Sequence, residues 1–466
     1  MIKLSFIAAL ISGTAVFAIG ADDLTSAFKE GKLEGNIRSQ YFVTEWKSDD
    51  LPTAKGFALG GSLIYQTDPL SGLSLGIGLY TTQNPGDWTD EEDGNTATTS
   101  KDLFSRDSYR DPLTGAKISD PYGEGYAVLA QSYLLYKTAQ TQAKTGRILT
   151  DKTNPWITPN DTKMIPVAIE GVQIISNDIA NTTLSFCYAD KIKERGMTYF
   201  GNMADTLDTP SKISSYYSTH YGKTVGINGD APGVAIFGVT NKSINSLRFD
   251  AWGMNWKNLA SQARFEVGYA IEAGDSIIGL GGLYLKQFDN GAGEIIQPQK
   301  NNNDSDNSID TDLYALRVSV DHGPARLMAA MSNTGNEGDL LAPWRGFHTQ
   351  GYTRSMTQTD WNADTKARKI QLDYNFDAYI YSLSAFLSYS AYNRNEQKIP
   401  YQNMTDRGLQ NGDTDQWNMD ILYKLSGQYK GCELKLRLMD QNNEATVLHP
   451  HESSNQETRF EISYKF

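Results

Sequence analysis

The chain has 466 residues, with 55 Asp and Glu against 42 Lys and Arg, a formal net charge of −13 and only 2 Cys. That balance excludes an electrostatic nucleic-acid binder, and the cysteine count excludes a disulfide framework. Beyond the N-terminus no apolar run approaches the ~18 residues of a helical membrane span, yet a mean hydropathy of −0.47 leaves a membrane barrel open, because alternating strands average to a soluble-looking value.

The chain opens MIKLSFIAALISGTAVFAIGADD. Lys3 supplies a positive start, Leu4 to Phe17 are almost continuously apolar, and Ala18, Gly20 and Ala21 offer small residues for cleavage. This predicts a secretory signal over residues 1–21, cut just before Ala21 or Asp22, too short for a permanent membrane helix. Residues 22–466 are then expected to form a single domain.

From Lys32 onward the pattern has period two. Leu33, Ile37, Tyr41 and Val43 oppose Glu34, Asn36, Arg38 and Gln40. Phe57, Leu59, Leu63 and Tyr65 alternate with Ala58, Gly60, Ser62 and Gln66, and Leu73, Leu75, Ile77 and Leu79 with Ser74, Gly76, Gly78 and Tyr80. Farther on, Phe265, Val267, Tyr269 and Ile271 oppose Arg264, Glu266, Gly268 and Ala270. Tyr379, Tyr381, Leu383, Ala385, Leu387 and Tyr389 oppose Ser382, Ser384, Ser388 and Ser390, and Leu434, Leu436 and Leu438 oppose Glu433, Lys435 and Arg437. Cys187 and Cys432 fall in strands far apart in order and are read as free thiols.

About 18 strands are expected on this count, and their connections sort by parity. Odd-to-even links are long (44–55, 83–124, 150–165, 190–230, 289–310, 335–365, 391–415 and 441–456), apart from a short one near Lys257. Even-to-odd links are short and rich in turn formers, as in TDPLSG, EAGD and HGP. A sandwich or propeller has no reason to sort its loops in this way. The fold class predicted is an all-β transmembrane antiparallel β-barrel, with short periplasmic turns and long extracellular loops.

The final ETRFEISYKF places Phe460, Ile462, Tyr464 and Phe466 on one face and Arg459, Glu461, Ser463 and Lys465 on the other. Such a strand is an open edge. Pairing with the first strand removes the edge, and outer-membrane lipid and lipopolysaccharide are expected to cover the aromatic face. Phe466 is then expected to be the signal that the barrel assembly machinery reads.

Charge concentrates in the long links: 82–124 carries ten acids and four bases, and 289–310 five acids and one base. These are acidic loops on a nearly balanced scaffold, expected to hold divalent cations, contact lipopolysaccharide or gather cations and zwitterions at the mouth. The histidines are His220, His322, His348, His449 and His451. The HPHE run at His449 is read as a solvated loop, and Ser218 with His220 lies in a long link. No catalytic residue, metal site or cofactor is therefore predicted. The stronger set is basic. Alternation turns Arg38, Arg264, Arg317, Arg326, Lys369, Lys435, Arg437 and Arg459 inward, and Arg147 is placed with them although the parity of its strand is ambiguous. Guanidinium forks along an aqueous path draw carboxylates, whereas pairing with Glu34, Glu266, Asp420, Glu433 and Glu461 would merely keep the lumen wet.

The run KTGRILTDKTNPWITPNDTKMIPVAIEGVQI, from Lys144 to Ile174, carries Pro155, Pro159 and Pro166, which forbid a strand and favour a stiff turn structure. It resembles the third-loop region of the OprD family of outer-membrane porins, in Thr158-Pro-Asn-Asp161, Lys163, Met164, Pro166 and Glu170-Gly-Val172. The opening AFKEGKLEGNIRSQYF and the stretch FHTQGYTRSM are similar to family segments too. The resemblance covers nearly the whole mature chain. It implies an 18-stranded barrel, a third loop (about 150–166) folded inward with Asn160, Asp161, Lys163 and Met164 at a constriction, and a basic ladder leading to it. Lys163 stands where arginine is common. Passive, substrate-preferring diffusion of small hydrophilic solutes is expected, carboxylate-bearing compounds or amino acids above all, by a monomer or loose homotrimer in a Gram-negative outer membrane. The alternatives are a general non-specific porin and, from another class, a barrel enzyme or adhesin. A fatty-acid-type transporter needs an apolar lumen and an N-terminal hatch, and a gated active transporter needs a plug domain.

Overall fold

The computed structural model describes residues 20–47, 53–85, 103–105, 125–159, 161–203, 233–291, 308–341, 351–357, 360–395, 412–444 and 454–466. Residues 1–19 of the expected signal, most of the two acidic links, Ser218, His220, His348, the HPHE run and Asn160 lie outside them. A short helix, α1 (Leu24–Lys29), is capped by Asp23, whose carboxylate accepts from Ser26 N–H at 2.8 Å. The first strands are β1 (Lys32–Trp46), β2 (Ala54–Gln66), β3 (Leu73–Gln83), β4 (Tyr126–Lys137), β5 (Thr141–Ile148), β6 (Ala168–Ile179) and β7 (Thr182–Lys193). Next come β8 (Gly201–Asn202), β9 (Val234–Asn241), β10 (Leu247–Trp256), β11 (Ala260–Ala273), β12 (Ser276–Asp289) and β13 (Thr311–His322). The last are β14 (Ala325–Thr334), β15 (Lys366–Asn375), β16 (Leu383–Asn393), β17 (Thr414–Lys424), β18 (Cys432–Asn443) and β19 (Asn455–Lys465).

Each wall strand pairs antiparallel with its neighbours, and β7 pairs directly with β9, so the two-residue β8 stands outside the ring. The remaining 18 strands close when β19 pairs with β1, from Asn36↔Lys465 to Trp46↔Asn455. No strand edge is left open along that seam. The expected strand number, closure and loop sorting are all present.

The burial pattern is inside out. Along β3, Leu73, Leu75, Ile77 and Leu79 are 44%, 48%, 52% and 50% exposed, while Ser74, Tyr80 and Thr82 are buried. Phe460, Ile462, Tyr464 and Phe466 likewise face outward. Water would not tolerate so continuous an apolar band, and lipid requires one. No described helix is long and apolar enough to cross a membrane; the crossing is made by strands. Tight hairpins follow from residues that accept positive φ, Asn181 at 56°, Gly274 at 61° and Gly323 at 52°.

Two details depart from the sequence reading. Tyr379 and Tyr381 belong to the turn before β16, because Phe376 N–H closes onto Leu383 O at 2.8 Å and ends the pairing there. The lumen is also not uniformly polar. Leu135, Ile148, Ile169, Ile192, Ile236, Trp252 and Met254 form an inward apolar patch packed against Trp156 and Ile157. Both thiols are free, Cys187 within that patch.

Candidate functional site in the lumen

Residues 149–159 and 161–167 of the third outer loop run inside the ring, and short-range side-chain bonds shape them. Asp151 Oδ1 accepts from Thr153 N–H at 2.8 Å, and Asn154 Oδ1 accepts from the N–H groups of Trp156 and Ile157 at 3.0 and 3.1 Å. Thr150 Oγ1 donates to Ile157 O at 2.7 Å, and Val167 N–H donates back to Pro159 O at 2.7 Å. The prolines remove donors that this irregular backbone would otherwise have to satisfy.

Two anchors hold the loop across the lumen. On β11 the Trp156 indole N–H donates to Gln262 Oε1 at 2.5 Å. Gln262 Nε2 donates to Gln287 Oε1 and Leu341 O, both at 2.8 Å, and Gln287 Nε2 donates to Ile309 O at 2.8 Å and Asp339 O at 2.9 Å. On β1, Arg38 Nη1 donates to Lys163 O at 2.6 Å and Gln40 Nε2 to Thr162 O at 3.3 Å. Gln262 and Gln287 are almost fully buried, so an unmade bond in this relay costs about 1–3 kcal/mol. Gln262→Leu is therefore expected to leave a folded barrel whose single-channel current flickers between levels, because Trp156 loses its acceptor. A steady wild-type current from Q262L would remove this anchor from the account.

Of the loop residues singled out in the sequence, Asp161 is 62% exposed and 3.8 Å from Arg38. Lys163 and Met164 are buried against the wall. The Lys163 ammonium lies 3.9 Å from the Phe42 ring centroid, and Met164 packs with Phe42, Tyr80 and Val128.

The inward bases sit mostly on a contiguous arc. Arg38 pairs with Glu461 at 3.0 Å, Arg437 and Lys435 with Asp420 at 2.7 and 3.7 Å, and Arg459 with Glu457. Arg437 stands directly opposite Arg459 across β18 and β19. Lys369 Nζ donates to Arg354 O at 2.9 Å. Farther round, Glu266 gathers Arg264 at 2.7 Å and Arg317 at 4.0 Å, and Arg326 lies 3.7 Å from Asp321. Arg147 is not brought to this set. It pairs in register with Ser132, which pairs with the lipid-facing Ile77, so its side chain leaves the wall outward.

Three further groups join the lumen. Tyr352 donates to Glu266 Oε1 at 2.8 Å, and its ring lies 4.5 Å from the Arg317 guanidinium. Arg354, from the same β14–β15 loop, is partly buried within the electrostatic reach of Arg437 and Arg459. Burial and those two like charges push its guanidinium well below the usual range. Arg248 reaches Asp250 at 2.6 Å, and Asp250 pairs in register with Glu266. Loop residues carry no periodicity, so Tyr352 and Arg354 gave no alternation signal. Arg248 did have one, at its i+2 spacing to Asp250.

A closed barrel with an apolar outer band, a charged lumen and a loop pinned across it belongs to the class of outer-membrane diffusion channels. The model of the OprD family of outer membrane porins matches residues 124–466, and the chain belongs to that family. It is accordingly an outer-membrane protein of a Gram-negative bacterium. Similar folds include Pseudomonas aeruginosa OpdK solved with vanillate, at 13% identity and TM-score 0.70, covering 94% of this chain and 99% of that one. P. aeruginosa OccK9 (OpdG) matches at 16% and 0.70, covering 95% and 99%. Acinetobacter baumannii OccAB3 also matches at 16% and 0.70, covering 94% and 99%. No curated protein sequence matches the chain.

Proposed function

We propose that this porin conducts small hydrophilic solutes passively, with preference for carboxylate-bearing compounds, amino acids among them. The observation that supports the reading best is the register pairing of Arg437 with Arg459, with Lys435 beside Asp420, Lys369 bonded to the Arg354 carbonyl and Arg354 in electrostatic reach, where Asp420 and Glu457 supply the ion pairs. Like-charged guanidinium groups set directly opposite disfavour one another, each carries five N–H donors of which its ion pair uses only part, and a carboxylate can accept from more than one fork. Arg38 and Asp161, at the third loop, would then meet the two ends of a zwitterion.

A general, weakly selective porin is the second reading. It is favoured by the carboxylate found within 4.0 Å of Arg38, Arg264, Arg317, Arg326, Lys435, Arg437 and Arg459 alike. Reversal potentials in a salt gradient, with vanillate as a carboxylate blocker, separate the two. Losing one charge-assisted bond costs about 1.5–3 kcal/mol, so Arg437→Ala is expected to weaken block about tenfold or more and to reduce anion preference. Unchanged block and selectivity from a folded R437A barrel would favour the general porin.

A further inference from the structure

The outer wall over β5–β7 breaks the apolar band. One row of directly opposed residues runs Leu33, Tyr65, Ile77, Ser132, Arg147, Glu170, Lys191 and Asn202. Opposed residues share a face, and Leu33 and Ile77 fix this one as outward, at 58% and 52% exposed. Because the strands tilt, the row climbs. It begins at the second residue of β1 and reaches Lys191, two residues below the outer end of β7. The apolar half of the row therefore lies near the periplasmic rim, and the charged half near the outer leaflet's headgroups.

The charged half is a built cluster. Arg147 Nε lies 2.9 Å from Glu170 Oε1, and Lys191 Nζ lies 3.0 Å from Glu170 Oε2. Each carboxylate oxygen thus holds one cation, which fixes both and leaves one net positive charge with donors to spare on each. The Arg147 guanidinium also lies 4.5 Å from the Phe200 ring and donates to Leu129 O at 3.4 Å. Arg147 and Lys191 remain 38% and 41% exposed. Charge on a lipid face is costly in the middle of a bilayer and nearly free at the interface. There, two fixed cations match a phosphate.

We propose that Arg147 and Lys191, held by Glu170, bind the phosphate of a phosphorylated lipid headgroup in the outer leaflet. The proposal does not depend on the solute reading. Native mass spectrometry of the purified full barrel with diphosphoryl lipid A tests it. Wild type is expected to retain the lipid, and Lys191→Gln to bind it about tenfold more weakly, one charge-assisted bond being worth that much. Chemically dephosphorylated lipid A, offered to the wild type, is expected to bind as poorly, a result that no folding defect could mimic. Equal retention of the two lipids would overturn the proposal. So would inorganic phosphate competing at the lipid's own affinity, which would make the site one for free phosphate. A wild-type oligomer that K191Q dissolves would overturn it as well, by making the patch a contact between copies.

Discussion

Replacing residues 151–164 with a short glycine-serine link is expected to raise single-channel conductance several-fold and to abolish discrimination among solutes. The loop crosses from Gln262 on β11 to Arg38 on β1, so removing it opens the ring to the width the wall alone defines. The same change uncovers Ile148, Ile169, Ile236 and Leu135, whose inward side chains now pack against Trp156 and Ile157. Losing cover from side chains of this kind costs about 1.5–3 kcal/mol each when complete. The shortened barrel should accordingly lose its heat-modifiable mobility at a lower temperature than wild type. Trp156→Ala is the milder partner. It removes one buried ring, costs about 3–5 kcal/mol, and should give a conductance between wild type and the deletion. A deletion barrel that folds and conducts as wild type does would show that the loop is not the narrow point.

How much of this was legible in the sequence depends on which face of a strand carried the signal. Where one face met lipid and the other water, alternation decided everything, as in β3, β11 and β19. Those strands gave the ring, its closure and the inward turn of Arg38, Arg264, Arg437 and Arg459. Where the loop docks on the wall both faces are apolar, and period two disappears. In β6, Ile169 faces the loop while Val172 faces out, and in β7 Cys187 and Phe186 do the same. That loss of contrast is why alternation leaves the parity of Arg147 ambiguous and groups it with the inward bases. Its strand is only eight residues long, with Gln142, Lys144 and Arg147 offering polar groups to both faces. Register against Ile77 settles it, and register is a long-range property that no local window contains. The loops were legible only as stiff or flexible, so Lys163 and Met164 could be named while the turning of both onto Phe42 and Tyr80 could not. Arg354 is hidden for the same reason, although it lies within the electrostatic reach of Arg437 and Arg459.

Gly171→Ala is expected to be among the most damaging single substitutions in the wall, although it adds one methyl group. Gly171 lies in the Glu-Gly-Val run that follows the third loop, at the point where the β6–β7 register shifts. There Glu170 pairs with Lys191 and Gly171 with Ala189, so Asp190 bulges out of the ladder. The bulge bends the strand and tightens its local twist. A Cβ on Gly171 would come within 2.0 Å of Tyr188 O, 3.1 Å of its carbonyl carbon and 3.2 Å of Ala189 Cα. Every one of these atoms is backbone, held by pairs on both sides, so no rotamer change relieves the clash. The cost should reach or exceed the ~1–3 kcal/mol of an overpacked side chain, because two strands must part at the seat of the third loop. Gly268→Ala on β11 is the matched control. A Cβ there meets nothing within 4 Å, and a compatible Gly→Ala change stabilises by about 0.4–1 kcal/mol. Refolding both variants from urea and scoring the heat-modifiable band separates them. G268A should match or exceed wild type, while G171A should fold poorly or melt early. If G171A refolded as readily as G268A, close backbone approach at the bulge would not be what requires glycine there.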